Sequence, residues 1–304
     1  MTHRDPGPDT ATVSVAYDLP ADGEAILGRT ATAVLPHGPL IIVDNGPPGS
    51  LPKNFGARLQ REATTGITIR PYEGNRGFGA GCNAGAALAL DARFVLFVNP
   101  DAEVTTAMVS TLLASFAAHP NLGIASPQLV DHAGVPVETG GAFPTIAGLV
   151  LGKFRQNDTF RPRHDAINAS RANHPFIPAD WVSGAVMMCR REVWEATGGF
   201  DPAYFMYYED IDLCRRARQA GWEVGIVPEA VAVHESGGSQ WRPGTRSRIE
   251  RIYFESQAYY FRKHHGRLAE LFLRIVRFPY LATGLRRQYL ERYGVRIRTE
   301  PDPL

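Results

Sequence analysis

Short apolar runs alternate with longer stretches of mixed polarity through the first 118 residues. Residues 12–16 (TVSVA), 40–43 (LIIV), 67–70 (ITIR) and 94–98 (FVLFV) are too short for helices and rich in β-branched or aromatic side chains, so they predict buried strands. Residues 22–35, 53–63, 78–90 and 105–118 lie between or after them and predict helices. Repeated strand–helix–strand units imply a mostly parallel sheet covered on both faces, an α/β fold. From about Pro127 to Pro178 the pattern loosens and Gly, Pro and Asn become frequent, which predicts loops that could hold a hairpin and a mobile segment near one sheet edge. Residues 181–190 then predict one buried strand, 192–197 a short helix, and 222–227 and 230–233 two further strands. Beyond Gln240 the pattern is helical to about Tyr293.

Composition narrows the class. The 304 residues are 44% apolar and 21% charged, as in ordinary globular proteins. The three cysteines, Cys82, Cys189 and Cys214, are scattered and form no CxxC pair, which argues against a disulfide framework or a zinc site and for a reducing cytosol. The first ten residues (MTHRDPGPDT) lack the apolar core of a signal peptide, and no stretch reaches the roughly 20 apolar residues a membrane helix needs. Net charge is only +1, yet the ten Lys/Arg and two Glu between Tyr260 and Arg298 sum to +8. A basic carboxyl-terminal end that meets an anionic surface is the expectation.

Candidate chemistry collects where strands are predicted to end, the usual place for ligands in parallel sheets. Asp44-Asn45-Gly46 follows LIIV, and Asn99-Pro100-Asp101 follows FVLFV, with Glu103 close behind. Alone each reads as a turn; together they put two acidic turns on one edge. Residues 75–85 (NRGFGAGCNAG) open a helix with four glycines, which permits close approach of a ligand at a helix start. The spacing is neither a dinucleotide fingerprint nor a P-loop. His234 follows the last predicted strand. Carboxylates with a histidine suit a divalent cation whose shell is completed by phosphate and water. Residues 207–222 (YYEDIDLCRRARQAGW) place three carboxylates ahead of a run of arginines. In isolation that is a helix start complementing its own dipole.

Taken in order, VDNG, NRGFGAGCNAG, FVNPDAEV, WVSGAVMMCRREVWEATGGFDPAYFMYYEDIDLCRRARQAGWEV and PEAVAVHESGGS resemble the bacterial family 2 glycosyltransferases, closest in style to their rhamnosyltransferase-like branch. The resemblance covers about residues 12–240 and is most specific from Gly184 to His234. It implies a GT-A fold, a catalytic domain over 12–240 after a disordered 1–11, and a basic helical region over 241–304. It also implies an inverting transfer of a sugar, dTDP-rhamnose being the nearest donor, to a hydroxyl of a glycan or lipid-linked acceptor in cell-envelope polysaccharide synthesis. By motif, Asp210 is the general base with Glu209 beside it. Asp44, Asn45, Asn75, Gly77, Asn83, Asn99 and Asp101 face the nucleoside-diphosphate sugar, and Trp181 and Gly184 lie on the acceptor side. Asp101 and His234 hold Mg²⁺ or Mn²⁺. NPD stands where many relatives have DxD, leaving one carboxylate there for the metal, and DNGPPGS lacks a further Asp that many carry. Two other classes share parts of this pattern: a nucleotidyltransferase that makes the activated sugar, and a silent binding protein for sugar nucleotide or lipid. The first needs a basic phosphate loop near the first strand, where VSVAYDLPADGE is acidic; the second does not need the Asp101, Asp210 and His234 set.

In the basic end, residues 267–278 (RLAELFLRIVRF) put Leu268, Leu271, Phe272 and Ile275 on one helical face and Arg267, Glu270, Arg274 and Arg277 on the other. That face either packs on the catalytic domain or contacts the inner membrane, which would make the protein cytoplasmic and peripheral on the cytoplasmic face of the membrane. No nucleic-acid motif accompanies the charge. The oligomeric state stays open, a homodimer included.

Overall fold

The structure is a computed structural model; it describes residues 9–17, 19, 22–47, 51, 55, 66–71, 74–151, 176–234 and 246–282. Strands β1 (Thr10–Ala16), β2 (Leu40–Asp44), β3 (Ile67–Pro71) and β4 (Phe94–Val98) pair in parallel in the order β3-β2-β1-β4. They match the four apolar runs, β1 starting two residues early at Thr10. The sheet continues through β10 (Val186–Arg190), β6 (Leu122–Val130), β11 (Glu223–His234) and β5 (Ala102–Glu103), with β8 (Ile177–Pro178) also on β11. β10 runs antiparallel to both β4 and β6, whereas β6 and β11 are parallel. β7 (Gly140–Gly141) and β9 (Trp181–Val182) form a separate two-stranded ribbon.

Alternation along each strand feeds two cores. Val13, Val15, Val43, Val95 and Phe97 face α2 (Phe78–Ala86), α5 (Arg191–Thr197) and α6 (Glu209–Gln219), while Leu40, Ile42, Leu96 and Val98 face α1 (Gly23–Val34) and α3 (Thr106–Ala118). A sheet buried on both sides is why its strands read as continuous apolar runs. A short α4 (Ile146–Leu151) follows β7, and α7 (Arg246–His265) and α8 (Arg267–Ala282) close the described chain.

Several expectations are corrected. β6 runs to Val130, into the segment expected to be loop, because Ser126 and Gln128 are buried and hydrogen-bonded despite their polarity. The single strand expected over 181–190 is two, broken at Ser183–Ala185. The two expected over 222–233 are one, with a register shift between Val227 and Val231. The second helix ends at Ala86 rather than residue 90. Of the expected helix over 53–63 only Phe55 is described, and residues 1–8, 152–175, 235–245 and 283–304 lie outside the described residues. The three cysteines are buried and unpaired.

Candidate active site

The carboxyl ends of β2 and β4, the start of β10 and the end of β11 share one edge, and Asp44, Asn45, Asn99, Asp101 and His234 of the expected site residues follow or end those strands there. Asp44 ends β2 and takes Gly46 N–H on Oδ1 at 3.2 Å, a local turn. Asn45 is buried; its Nδ2 donates to Asn75 Oδ1 (3.0 Å) and to the Gly77 carbonyl (3.2 Å). Asn75 Oδ1 also accepts from Gly77 N–H at 2.9 Å. The VDNG and NRG motifs are thus one stitched turn. Gly77 sits at φ +100°, and a Cβ there would land on the Phe205 carbonyl, the group that accepts from Phe78 N–H at 2.9 Å. Here glycine is required twice over, by conformation and by space.

Asn83 is placed differently from the expectation that it faces a ligand. Its amide spans the Phe200 main chain, Nδ2 donating to the carbonyl (2.8 Å) and Oδ1 accepting from the N–H (3.0 Å). It pins the GGFD turn to α2.

Asp210 lies at the first turn of α6. Its Oδ2 accepts from Gly184 N–H (3.0 Å) and Oδ1 from Ile211 N–H (2.8 Å). One residue on, the Ala185 carbonyl accepts from Asn99 N–H at 2.8 Å. The break between β9 and β10 therefore clamps Asp210 beside the NPD turn, and Gly184 N–H goes to a carboxylate instead of a strand partner. Asp210 is half-buried, and burial pushes its carboxyl up while the two N–H groups pull it down. Glu209 is buried outright, with Oε2 lacking a hydrogen-bond partner; burial and then the Asp210 charge raise its carboxyl well above the usual range. Sequence reasoning missed a third member, Glu138. It precedes Thr139, whose carbonyl accepts from Ser183 N–H at 2.7 Å, and burial followed by the Asp210 charge pushes its carboxyl up to about 7. A lone Glu in a segment read as loop gave no local signal; only the ribbon brings it to Asp210.

The residues before Asp210 are strained. Tyr207 and Tyr208 both occupy the left-handed region (φ +69° and +68°), which non-glycine residues adopt at a cost of about 1–3 kcal/mol each. Helix α7 holds them: Gln257 Nε2 donates to Tyr208 Oη (2.6 Å), Ser256 Oγ to the Met206 carbonyl (2.8 Å), and the Tyr253 ring packs on both tyrosines. The sequence motif shows the tyrosines but not their support from 45 or more residues away.

Asp101 and His234 meet across the β5–β11 pairing, Oδ1 to Nε2 being 3.6 Å, and both are mostly buried. Among the described residues no group of three or more His, Cys, Asp or Glu is set to hold a metal. One carboxylate and one imidazole fit a divalent ion that draws its other ligands from phosphate and water. Glu103 instead pairs with Arg29 at 3.1 Å. Trp181 is buried and donates Nε1–H to the Ala142 carbonyl at 3.0 Å, fixing the ribbon next to Gly184. A cavity of about 440 Å³ lined by Asp9, Arg93, Phe94, Phe116 and Arg190 lies at the opposite end of β4 and takes no part in this site.

Residues 60–251 match the family model described as glycosyltransferase like family 2. The N-acetylglucosaminyl-diphospho-decaprenol L-rhamnosyltransferase of Mycobacterium tuberculosis is 29% identical over 76% of this chain and 77% of its own. Rhamnosyltransferase WbbL of Escherichia coli K12 is 46% identical over a shorter stretch, 18% of this chain and 21% of its own. Among solved structures, the Pyrobaculum calidifontis mannosyltransferase in complex with GDP-Man and Mn²⁺ has a TM-score of 0.58 at 15% identity, over 96% of this chain and 77% of that one. GalNAc-T7 with UDP, GalNAc and Mn²⁺ has a TM-score of 0.56 at 14% identity, over 85% of this chain and half of that one. These two show the fold, a mostly parallel sheet flanked by helices of the GT-A type.

Proposed function

The chain belongs to glycosyltransferase family 2, and from that premise we propose that it moves a sugar, with inversion, from a nucleoside diphosphate to a hydroxyl of a lipid-linked glycan. The observation that carries this reading is the placement of Asp210, a half-open carboxylate at a strained helix start, clamped by Gly184 N–H to the edge bearing Asp101 and His234. Rhamnose from dTDP-rhamnose is the proposed donor sugar, and an isoprenoid-diphosphate-linked sugar the proposed acceptor; the names of the relatives above support both.

In this mechanism Asp210 takes the proton of the acceptor hydroxyl as its oxygen bonds the anomeric carbon. The bond from that carbon to the diphosphate oxygen breaks on the opposite face, and the nucleoside diphosphate leaves. The stitched Asp44–Asn45 and Asn75–Gly77 turn shapes the nucleotide side. Asp101 and His234 are the residues that would hold a divalent ion, which when bound neutralises charge developing on the leaving diphosphate. Glu209 is too buried to meet an acceptor, so the two members of the ED pair have separate roles.

Two variants test the assignment. Asp210→Asn is expected to lower kcat by about 10²–10⁴-fold while donor affinity stays near that of the native protein. Asp101→Ala is expected to abolish the metal-dependent part of donor binding. Near-native turnover in Asp210→Asn, or donor affinity indifferent to Mg²⁺ and Mn²⁺ in the native chain, overturns the corresponding role.

A further inference from the structure

The α7–α8 hairpin bears an exposed apolar surface to which the mechanism above assigns no role. In α8 the inward positions are Ala269 and Leu273, whereas Leu268, Leu271, Phe272 and Ile275 stand 82%, 54%, 45% and 60% exposed. Their spacing of three and four residues makes them one stripe. A surface helix normally turns such a stripe to the core; this one turns it out. By helical position Arg267 and Arg274 border the stripe, and the one acid of α8, Glu270, is neutralised by Arg274 (2.7 Å) and Arg262 (4.0 Å).

We propose that this stripe docks α8 into the headgroup boundary of an anionic lipid bilayer, with Leu268, Leu271, Phe272 and Ile275 toward the acyl chains and the arginines among the headgroups. Charge selects this occupant. A second copy would set one +8 segment (residues 260–298) against another, and residues 283–298 of the same chain add five Arg to one Glu, the sign of the stripe's own borders. Anionic lipid supplies both the apolar phase and the opposite charge. Among the described residues no helix is long and apolar enough to cross a membrane, so contact through α8 is interfacial.

Docking also bears on the chemistry. α7 is bolted to the base-bearing helix: Lys263 Nζ and His264 Nε2 reach Asp212 Oδ1 at 2.8 and 2.6 Å, and Gln257 and Ser256 hold the turn before Asp210. A docked hairpin therefore sets α6 at a fixed depth relative to the lipid surface, where a lipid-linked diphosphate is presented. This last step rests on the proposed function; the docking itself does not.

The test is flotation of the full chain with vesicles of phosphatidylcholine alone and of phosphatidylcholine with phosphatidylglycerol, at low and high salt and without donor. The chain is expected to float with the anionic vesicles, less so at high salt, and Leu271→Glu with Ile275→Glu to cut the bound fraction by about tenfold or more. Both positions are exposed, so the double variant keeps its melting temperature. Absence of native binding to anionic vesicles, or equal binding by the variant, overturns the proposal. So does native protein that stays off vesicles but forms a dimer which the double variant dissolves. A donor-induced rise in melting temperature, measured without vesicles, separates the two readings: its absence alongside intact flotation defeats the glycosyl-transfer reading alone.

Discussion

Three carboxylates, Glu138, Glu209 and Asp210, crowd one side of the site, and burial raises all three. A folded-state pKa above its unfolded value favours the protonated form. The stability it lends is therefore full below the ordinary carboxylate range and lost as pH rises through the raised value. At neutral pH this cluster costs stability. Glu209 is the sharpest case, because no hydrogen bond meets its buried Oε2. Glu209→Gln is expected to raise the melting temperature at pH 8 and to narrow the difference between pH 5 and pH 8. Thermal denaturation at both pH values checks it, and a variant that melts lower at pH 8 sinks the account. For Asp210, the proposed base, a raised carboxyl is expected to place the acid limb of log(kcat/KM) above the ordinary carboxylate range, since a base works only when ionised.

Elements rather than single residues show how much of the fold was legible. The four parallel strands read directly because a strand buried on both faces has nothing polar to interrupt it. β6 was missed where Ser126 and Gln128 find partners inside the core, so polarity there no longer marks exposure. The break at Ser183–Ala185 was invisible because its cause is tertiary: Gly184 N–H is spent on Asp210 and the Ala185 carbonyl on Asn99. Asp210, Asp101 and Gly77 were named from motifs, whereas Glu138 and the α7 supports were not, since they join the site only through folding. Gly77 gives the element-scale prediction. Gly77→Ala forces a side chain at φ +100° against the Phe205 carbonyl and is expected to cost about 3 kcal/mol or more. Turnover is expected to fall with it, because Phe205 leads into the turn that presents Asp210. Urea denaturation and initial rates measure the two effects; a native midpoint would remove the close approach as an explanation for glycine.

Across the whole molecule, Asp212 joins the sheet-bound helix α6 to the carboxyl-terminal hairpin. Its side chain is fully buried, yet it accepts from Arg216 Nε (2.8 Å), Lys263 Nζ (2.8 and 3.0 Å) and His264 Nε2 (2.6 Å). Arg216 goes on to donate to the carbonyls of Thr197 (2.5 Å) and Gly199 (2.8 Å), so the GGFD turn is tied to the same carboxylate. Burial raises the Asp212 carboxyl, but the His264, Arg216 and Lys263 contacts outweigh it and hold the pKa at about 2. With the folded value depressed, the stabilisation is present above the ordinary carboxylate range and disappears as pH falls from about 4 toward 2. Asp212→Asn strips the negative charge while Arg216 and Lys263 stay in place, and breaking a buried pair in this way typically costs about 3–5 kcal/mol. The expected outcome at pH 7 is a matching loss in urea denaturation, with the gap between variant and native protein closing as both are acidified toward pH 2. Turnover is expected to fall as well, because the hairpin that braces Tyr207 and Tyr208 loses its anchor on α6. Equal urea midpoints at pH 7, or a gap that does not change with pH, would show that α7 is held to the sheet by its aromatic packing and that Asp212 is dispensable.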